Sequence, residues 1–149
     1  MGSQLRATLE TRRRKTGASE LDLVVPYTTP ALTRAALEAC DRMSAGLNAN
    51  IRLVRIQVVP YPMDLDRSPV DMHFLLREME ECKSGIFASC EIRLARDFEE
   101  GLLSSLKRHS VVVLSYEKHW WKSANERLAA KIRTAGRKLV LVPGKENNA

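Results

Sequence analysis

Most of the patterns that carry hydrolytic, metal or redox chemistry are missing from this sequence. Its histidines, His73, His109 and His119, are scattered. None belongs to an H-x-x-x-H spacing, and no Cys or carboxylate cluster accompanies them, so no metal-ligand set is present. There is no G-x-S-x-G elbow, so Ser-His-Asp hydrolysis lacks its nucleophile. Cys40, Cys82 and Cys90 are odd in number and form no C-x-x-C pair. That usage fits a reducing compartment and small buried hydrophobes better than a redox sensor. No apolar run approaches the roughly 18–20 residues that cross a bilayer. Met1 to Glu20 hold cations but no apolar stretch, unlike a signal peptide. A cytoplasmic, non-enzymatic protein without metal or cofactor is expected on these grounds.

What is present is an ordinary globular composition. The chain has 149 residues, 44% hydrophobic and 28% charged, enough for one sizeable core. Its net charge of +6 is uneven: residues 1–19 hold Arg6, Arg12, Arg13, Arg14 and Lys15 against Glu10. Three parts are expected: a disordered basic arm over 1–19, a folded domain over 20–143 and a frayed tail over 144–149. Such an arm is usually a solvated extension, although Arg-rich arms can contact nucleic acid.

From Leu21 onward, apolar runs alternate with helical patterns. Leu21 to Val25 reads as a buried strand. Thr29 and Pro30 then supply an N-cap and a first helical position, and Leu32, Ala36, Ala39, Cys40, Met43 and Leu47 form an apolar stripe. Ile51–Val59 reads as the second strand. Ser68-Pro69-Val70-Asp71 reads as the cap and first turn of a second helix. In the third strand, Phe87 to Arg96, Cys90, Ile92 and Leu94 alternate with Glu91 and Arg93. This suggests one wet face and a place at the sheet edge. Asp97 caps a third helix, and Val111–Leu114 is a buried fourth strand. Ser123 to Glu126 form a capping box for a fourth helix that stops at Gly136, and Leu139–Val142 closes the order as a fifth strand. Strands alternating with helices require crossovers, which favour a doubly wound α/β domain with a parallel sheet.

Several stretches support a family resemblance: Leu23-Val-Val-Pro-Tyr27, the helix around Ala35-Ala-Leu-Glu-Ala-Cys40, the strand Ile51 to Val59 and the closing strand Arg137-Lys-Leu-Val-Leu-Val142. With them, the run from Leu21 to Val142 resembles a universal stress protein domain. The resemblance implies a five-stranded parallel sheet of order 3-2-1-4-5 with helices on both faces, often dimeric and sometimes ATP-binding. Nucleotide-binding members carry an Asp after the first strand, then G-x-x-G, a nine-residue spacer and G-[S/T] after the fourth. Here Pro26 or Tyr27 occupies the first position, and the fourth strand leads into Ser115-Tyr-Glu-Lys118 with no glycine before Gly136. The distal pair falls on Asn125-Glu126. A carboxylate beside phosphate is repulsive, on the order of 4 kcal/mol for charges about 4 Å apart at an effective dielectric of about 20. ATP is therefore disfavoured as a ligand.

In open α/β sheets ligands bind beyond the carboxyl ends of the strands, where strand order reverses. The candidate crevice residues are accordingly Pro26, Tyr27, Thr28, Thr29, Val58, Ser115, Tyr116, Glu117, Lys118, Ser123, Asn125 and Glu126, holding a small polar ligand or simply filling a lost pocket. His119, Trp120 and Trp121 are candidates for a partner contact, or for a plug over that crevice. Leu139, Val140, Leu141 and Val142 form an apolar edge strand that invites pairing with a second copy. The expected partners are thus a homodimer mate and a further protein. Nucleic acid, through the basic arm and the Trp pair, ranks below both.

Overall fold

A computed structural model describes residues 21–117 and 126–144, together with the backbone of residues 6–9. The elements run β1 (Arg6–Leu9), β2 (Leu21–Pro26), α1 (Pro30–Met43), β3 (Ala49–Val58), α2 (Met72–Cys82), β4 (Ser89–Ala95), α3 (Phe98–Ser105), β5 (Ser110–Tyr116), α4 (Glu126–Thr134) and β6 (Lys138–Pro143). They build one sheet of order β1-β4-β3-β2-β5-β6. The five strands expected from the sequence are β2 to β6. They are all parallel and take the expected order 3-2-1-4-5.

Two layers of helix cover this sheet. On one face Leu23, Val25, Leu53 and Ile92 meet Leu37 of α1 and Leu75 and Met79 of α2. On the other, Val24, Val54, Val112 and Leu114 meet Leu102 of α3 and Leu128 and Ile132 of α4. Consecutive strand residues feed opposite cores, which is why β2 and β5 read as nearly continuous apolar runs. Each large side chain so buried stabilises the fold by about 1.5–3 kcal/mol before chain entropy is charged against it. No helix among the described residues is long and apolar enough to cross a membrane.

Local signals explain most boundaries. Thr29 caps α1 by accepting from Leu32 N–H, and Asp97 caps α3 by accepting from Glu100 N–H. Gly136, at a φ of 76°, ends α4, and Arg137 N–H then reaches back to Ile132 O. α2 starts later than its sequence suggests. Asp71, not Ser68, is its N-cap and accepts from His73 N–H. The Ser68 hydroxyl is spent on Val70, whose carbonyl accepts from it and whose N–H donates to it.

Two expectations about the sheet edge are corrected. Residues 6–9 are not part of a disordered arm. They form β1, antiparallel to β4, with Arg6 opposite Arg93 and Leu9 opposite Cys90. β4 is therefore an interior strand, and its charged residues do not mark a wet face: Glu91 is only 4% exposed.

Candidate functional site

The crevice beyond the carboxyl ends of β2 and β5 is built from short polar segments whose hydrogen-bonding groups already serve one another. Tyr27 N–H continues the ladder to Val54 O at 2.8 Å. Thr28 N–H donates to the buried Thr33 hydroxyl at 3.0 Å. At the start of α1, Pro30 has no N–H, Leu32 N–H is held by Thr29 Oγ1 at 3.3 Å, and Thr33 N–H is held by Thr29 O at 2.9 Å. A helix N-terminus attracts anions through its orphan amides, and few remain here.

The opposite wall is closed by the chain that follows β6. Gly144 N–H donates to Tyr116 O at 2.7 Å. A Cβ built on Gly144 would lie 3.1 Å from Leu32 Cδ2, 3.2 Å from Tyr116 O and 3.5 Å from Ser115 Oγ. Any side chain at 144 would crowd β5 and α1, and its neighbours would have to give by a few tenths of an ångström. Ser115 is buried, Tyr116 half-buried and Glu117 exposed. Val58 and Glu126 are both exposed. Lys118, Ser123, Asn125 and the His119, Trp120 and Trp121 stretch lie outside the described residues.

Tyr27 does not join the others. Its ring turns to the α1–α2 side and lies 4.2 Å beneath the Arg55 guanidinium. Burial raises its hydroxyl above the usual range, against the opposing pull of Arg55. There it helps line a cleft of about 380 Å³ with Pro30, Arg34, Glu78, Glu81, Cys82 and Ser84. The cleft's cations are already engaged: Arg34 donates to Cys82 O, Ser84 O and Glu38, and Arg55 donates to Glu78 at 2.9 Å. Arg34 thereby satisfies the last carbonyl of α2 and that of Ser84 just beyond it.

Compared with known proteins, the sequence matches no family model and no curated protein. A solved structure does match: the crystal structure of a universal stress protein in complex with cAMP, at TM-score 0.54 and 12% identity, covering 86% of this chain and 100% of that one. This chain has the universal stress protein fold. The resemblance read from the diffuse strand and helix patterns is thereby supported at the level of architecture.

Within that universal stress fold, sequence reading missed a buried charge network at the opposite, amino-terminal end of the strands. Arg52 of β3 forms a two-pronged pair with Asp22 of β2, both N···O distances being 3.0 Å. It also donates to Glu91 of β4 at 3.1 Å and to Ser105 O at 2.9 Å. Ser110 Oγ donates to Asp22, and Arg93 donates to Glu91 at 2.6 Å. Burial alone would raise the Asp22 carboxyl. Hydrogen bonds from Arg52 and Ser110, with the Arg52 charge, outweigh it and hold the carboxyl below its ordinary value. These groups are almost closed to solvent, so the network ties four strands, β2 to β5, to the end of α3 and presents no reacting group to a substrate. Its signal in the sequence was charge inside apolar strands: Asp22 alone in β2, Arg52 with Arg55 in β3 and Glu91 with Arg93 in β4.

A second unforeseen residue is Arg96, just past β4. It donates to Val59 O, Pro60 O and Met63 O and stacks on Tyr61 at 4.2 Å, which fixes the loop leaving β3. The cysteines behave as small hydrophobes. Burial pushes the Cys40 and Cys90 thiols up to about 12 and raises Cys82, so they are not ionised near neutral pH. Among the described residues no cluster of His, Cys, Asp and Glu is placed to hold a metal ion.

Proposed function

We propose that this chain is a non-enzymatic module of the universal stress fold. In this reading it pairs with a second copy through β6 and acts in stress response through protein contacts or a small ligand. One observation carries the proposal: at the strand-reversal crevice, where this architecture takes ligands, the amides of Thr28, Leu32 and Gly144 are already bonded within the chain. A triphosphate needs several close, unoccupied donors, and the glycine-free end of β5, Ser115-Tyr-Glu117, adds side chains and an exposed carboxylate instead. The rival reading is nucleotide binding, favoured by the cAMP bound to the similar structure. Calorimetric titration separates the two. Neither ATP nor cAMP is expected to give binding heat at up to millimolar concentration, and a micromolar dissociation constant for either overturns the proposal.

Pairing is supported by the character of β6. Among the described residues it bonds to β5 alone, and Leu139, Val140, Leu141 and Val142 are each half-buried, with Leu139 and Leu141 packed on one core and Val140 and Val142 on the other. A strand with apolar residues on both faces and an open backbone edge gains from being covered, and twofold pairing covers both copies alike. Sedimentation at micromolar concentration is expected to give a dimer. A monomer under those conditions removes this part of the proposal.

A further inference from the structure

Sorted by fold element, the charge of the chain separates sharply. Residues 20–106, which build β2 to α3, hold nine Lys and Arg against fourteen Asp and Glu, a net of −5. The described residues of β5, α4, β6 and their flanks, 107–117 and 126–144, at one margin of the sheet, hold seven Lys and Arg against Glu117 and Glu126, a net of +5. The body is therefore acidic and one margin strongly basic. Lys107, Arg108, Arg127, Lys131, Arg133 and Lys138 are all exposed there. Lys131 pairs with Glu99 of α3 at 3.3 Å. Among the described residues Arg127, Arg133 and Lys138 have no carboxylate partner. One or two cations at the end of α4 would offset its helix dipole, but this excess extends well beyond one helix turn.

From this we infer that the α4–β6 margin binds the phosphate backbone of nucleic acid, without sequence preference, a role outside the ligand crevice and independent of it. Among the described residues the margin exposes charge and no large apolar side chain, its aliphatic β6 residues being half-buried against the two cores. The large hydrophobic side chains exposed on the described surface, Met43, Leu47, Val58, Tyr61, Val70, Phe74 and Phe87, all come from the acidic body. An acidic protein partner needs aromatic or aliphatic anchors at the centre of its interface. A membrane-surface helix needs an apolar face to sink, and the apolar face of α4, Leu128, Ala129 and Ile132, is spent on the core. A phosphodiester chain asks mainly for well-placed cations, because release of its condensed counterions supplies the binding free energy. Arg127 and Lys131 stand one turn apart on α4, about 6 Å along its axis, and Lys138 opens the neighbouring strand.

The test is fluorescence anisotropy of the full chain with a labelled single strand and a labelled duplex of about 20 nucleotides. Both are expected to bind at low salt. With about four phosphates neutralised, log K should fall against log salt with a slope of about −3. The combined variant Arg127→Glu, Arg133→Glu, Lys138→Glu should weaken binding at least about tenfold and flatten that slope. The milder Arg127→Gln, Arg133→Gln, Lys138→Gln set gives the same sign if the reversed charges disturb folding. Replacing Arg12, Arg13 and Arg14 by serine should leave the affinity within about threefold, since the arm is not the site. The inference fails if neither probe binds at low salt, if the arm variant alone abolishes binding, or if phosphatidylserine vesicles bind more tightly than either nucleic acid.

Discussion

Replacing Arg52 by methionine is expected to lower folding stability by about 3–5 kcal/mol, the range for breaking a buried ion pair from one side. Methionine keeps much of the side-chain volume, so the loss reports charge rather than a cavity. Among the described residues Arg52 is the only cation bonded to Asp22, and it also donates to Glu91 and satisfies Ser105 O. Without it Asp22 loses its cation in a dry interior and Glu91 is left with Arg93 alone among the described residues. Replacing Asp22 as well, by Asp22→Asn, should recover part of the loss, because its uncompensated charge is then removed while Glu91 keeps its pair with Arg93. If urea melts show the single change within about 1 kcal/mol of wild type, the network does not hold the sheet.

The same network sets an acid dependence of definite sign. The folded Asp22 carboxyl lies below its ordinary value, so its contribution to stability is present above the unfolded value of about 3.9 and is lost as pH falls through the lower folded one. In the Arg52→Met variant the balance reverses, since burial then acts on Asp22 without its partner and favours the neutral acid. The stability gap between variant and wild type should therefore be widest near neutral pH and shrink in acid. A gap that stays constant from neutral pH to about pH 3 would show that Asp22 is not the group responsible.

The other large effect is steric. α3 lies against β3 and β4 at Gly101, where a Cβ would fall 2.8 Å from both Ala95 Cβ and Ile56 Cγ2. Gly101→Val must push the helix off the sheet, with an expected cost of about 1–3 kcal/mol from overpacking. Valine recovers only a few tenths of a kcal/mol in helix propensity over glycine, too little to change the sign. Gly101→Ala combined with Ile56→Ala tests the contact directly: the pair should be less damaging than the sum of the single changes, with a coupling of about 0.5–3 kcal/mol. Strict additivity would place the strain elsewhere.

The parallel sheet was legible because its strands are buried on both faces and its helices carry plain caps, as at Thr29 and Asp97. β4 was misjudged for a physical reason. Alternation of Glu91 and Arg93 with Cys90 and Ile92 has the period of a half-wetted strand, yet burial by ion pairing produces the same pattern, and the partners Asp22 and Arg52 are far away in sequence. β1 was hidden because four residues carry too short a pattern, and its pairing with β4 is a long-range event. In the crevice, the residue identities were readable but their directions were not. Nothing local tells that Tyr27 turns toward Arg55, or that Gly144 folds back on Tyr116. The Thr29 cap was foreseen, whereas the Thr33 hydroxyl that occupies Thr28 N–H was not.

The short strand at the amino-terminal end has a practical bearing on how this protein is handled. Cutting the chain back to Glu20 to remove its arginines would also strip β1 from β4, baring the backbone along Cys90 to Arg93 and creating a fresh adhesive rim on a sheet that already has one at β6. Clumping by such a shortened form would report that wound and not the loss of positive charge. Neutralising the arginines in place changes the charge and leaves the sheet whole.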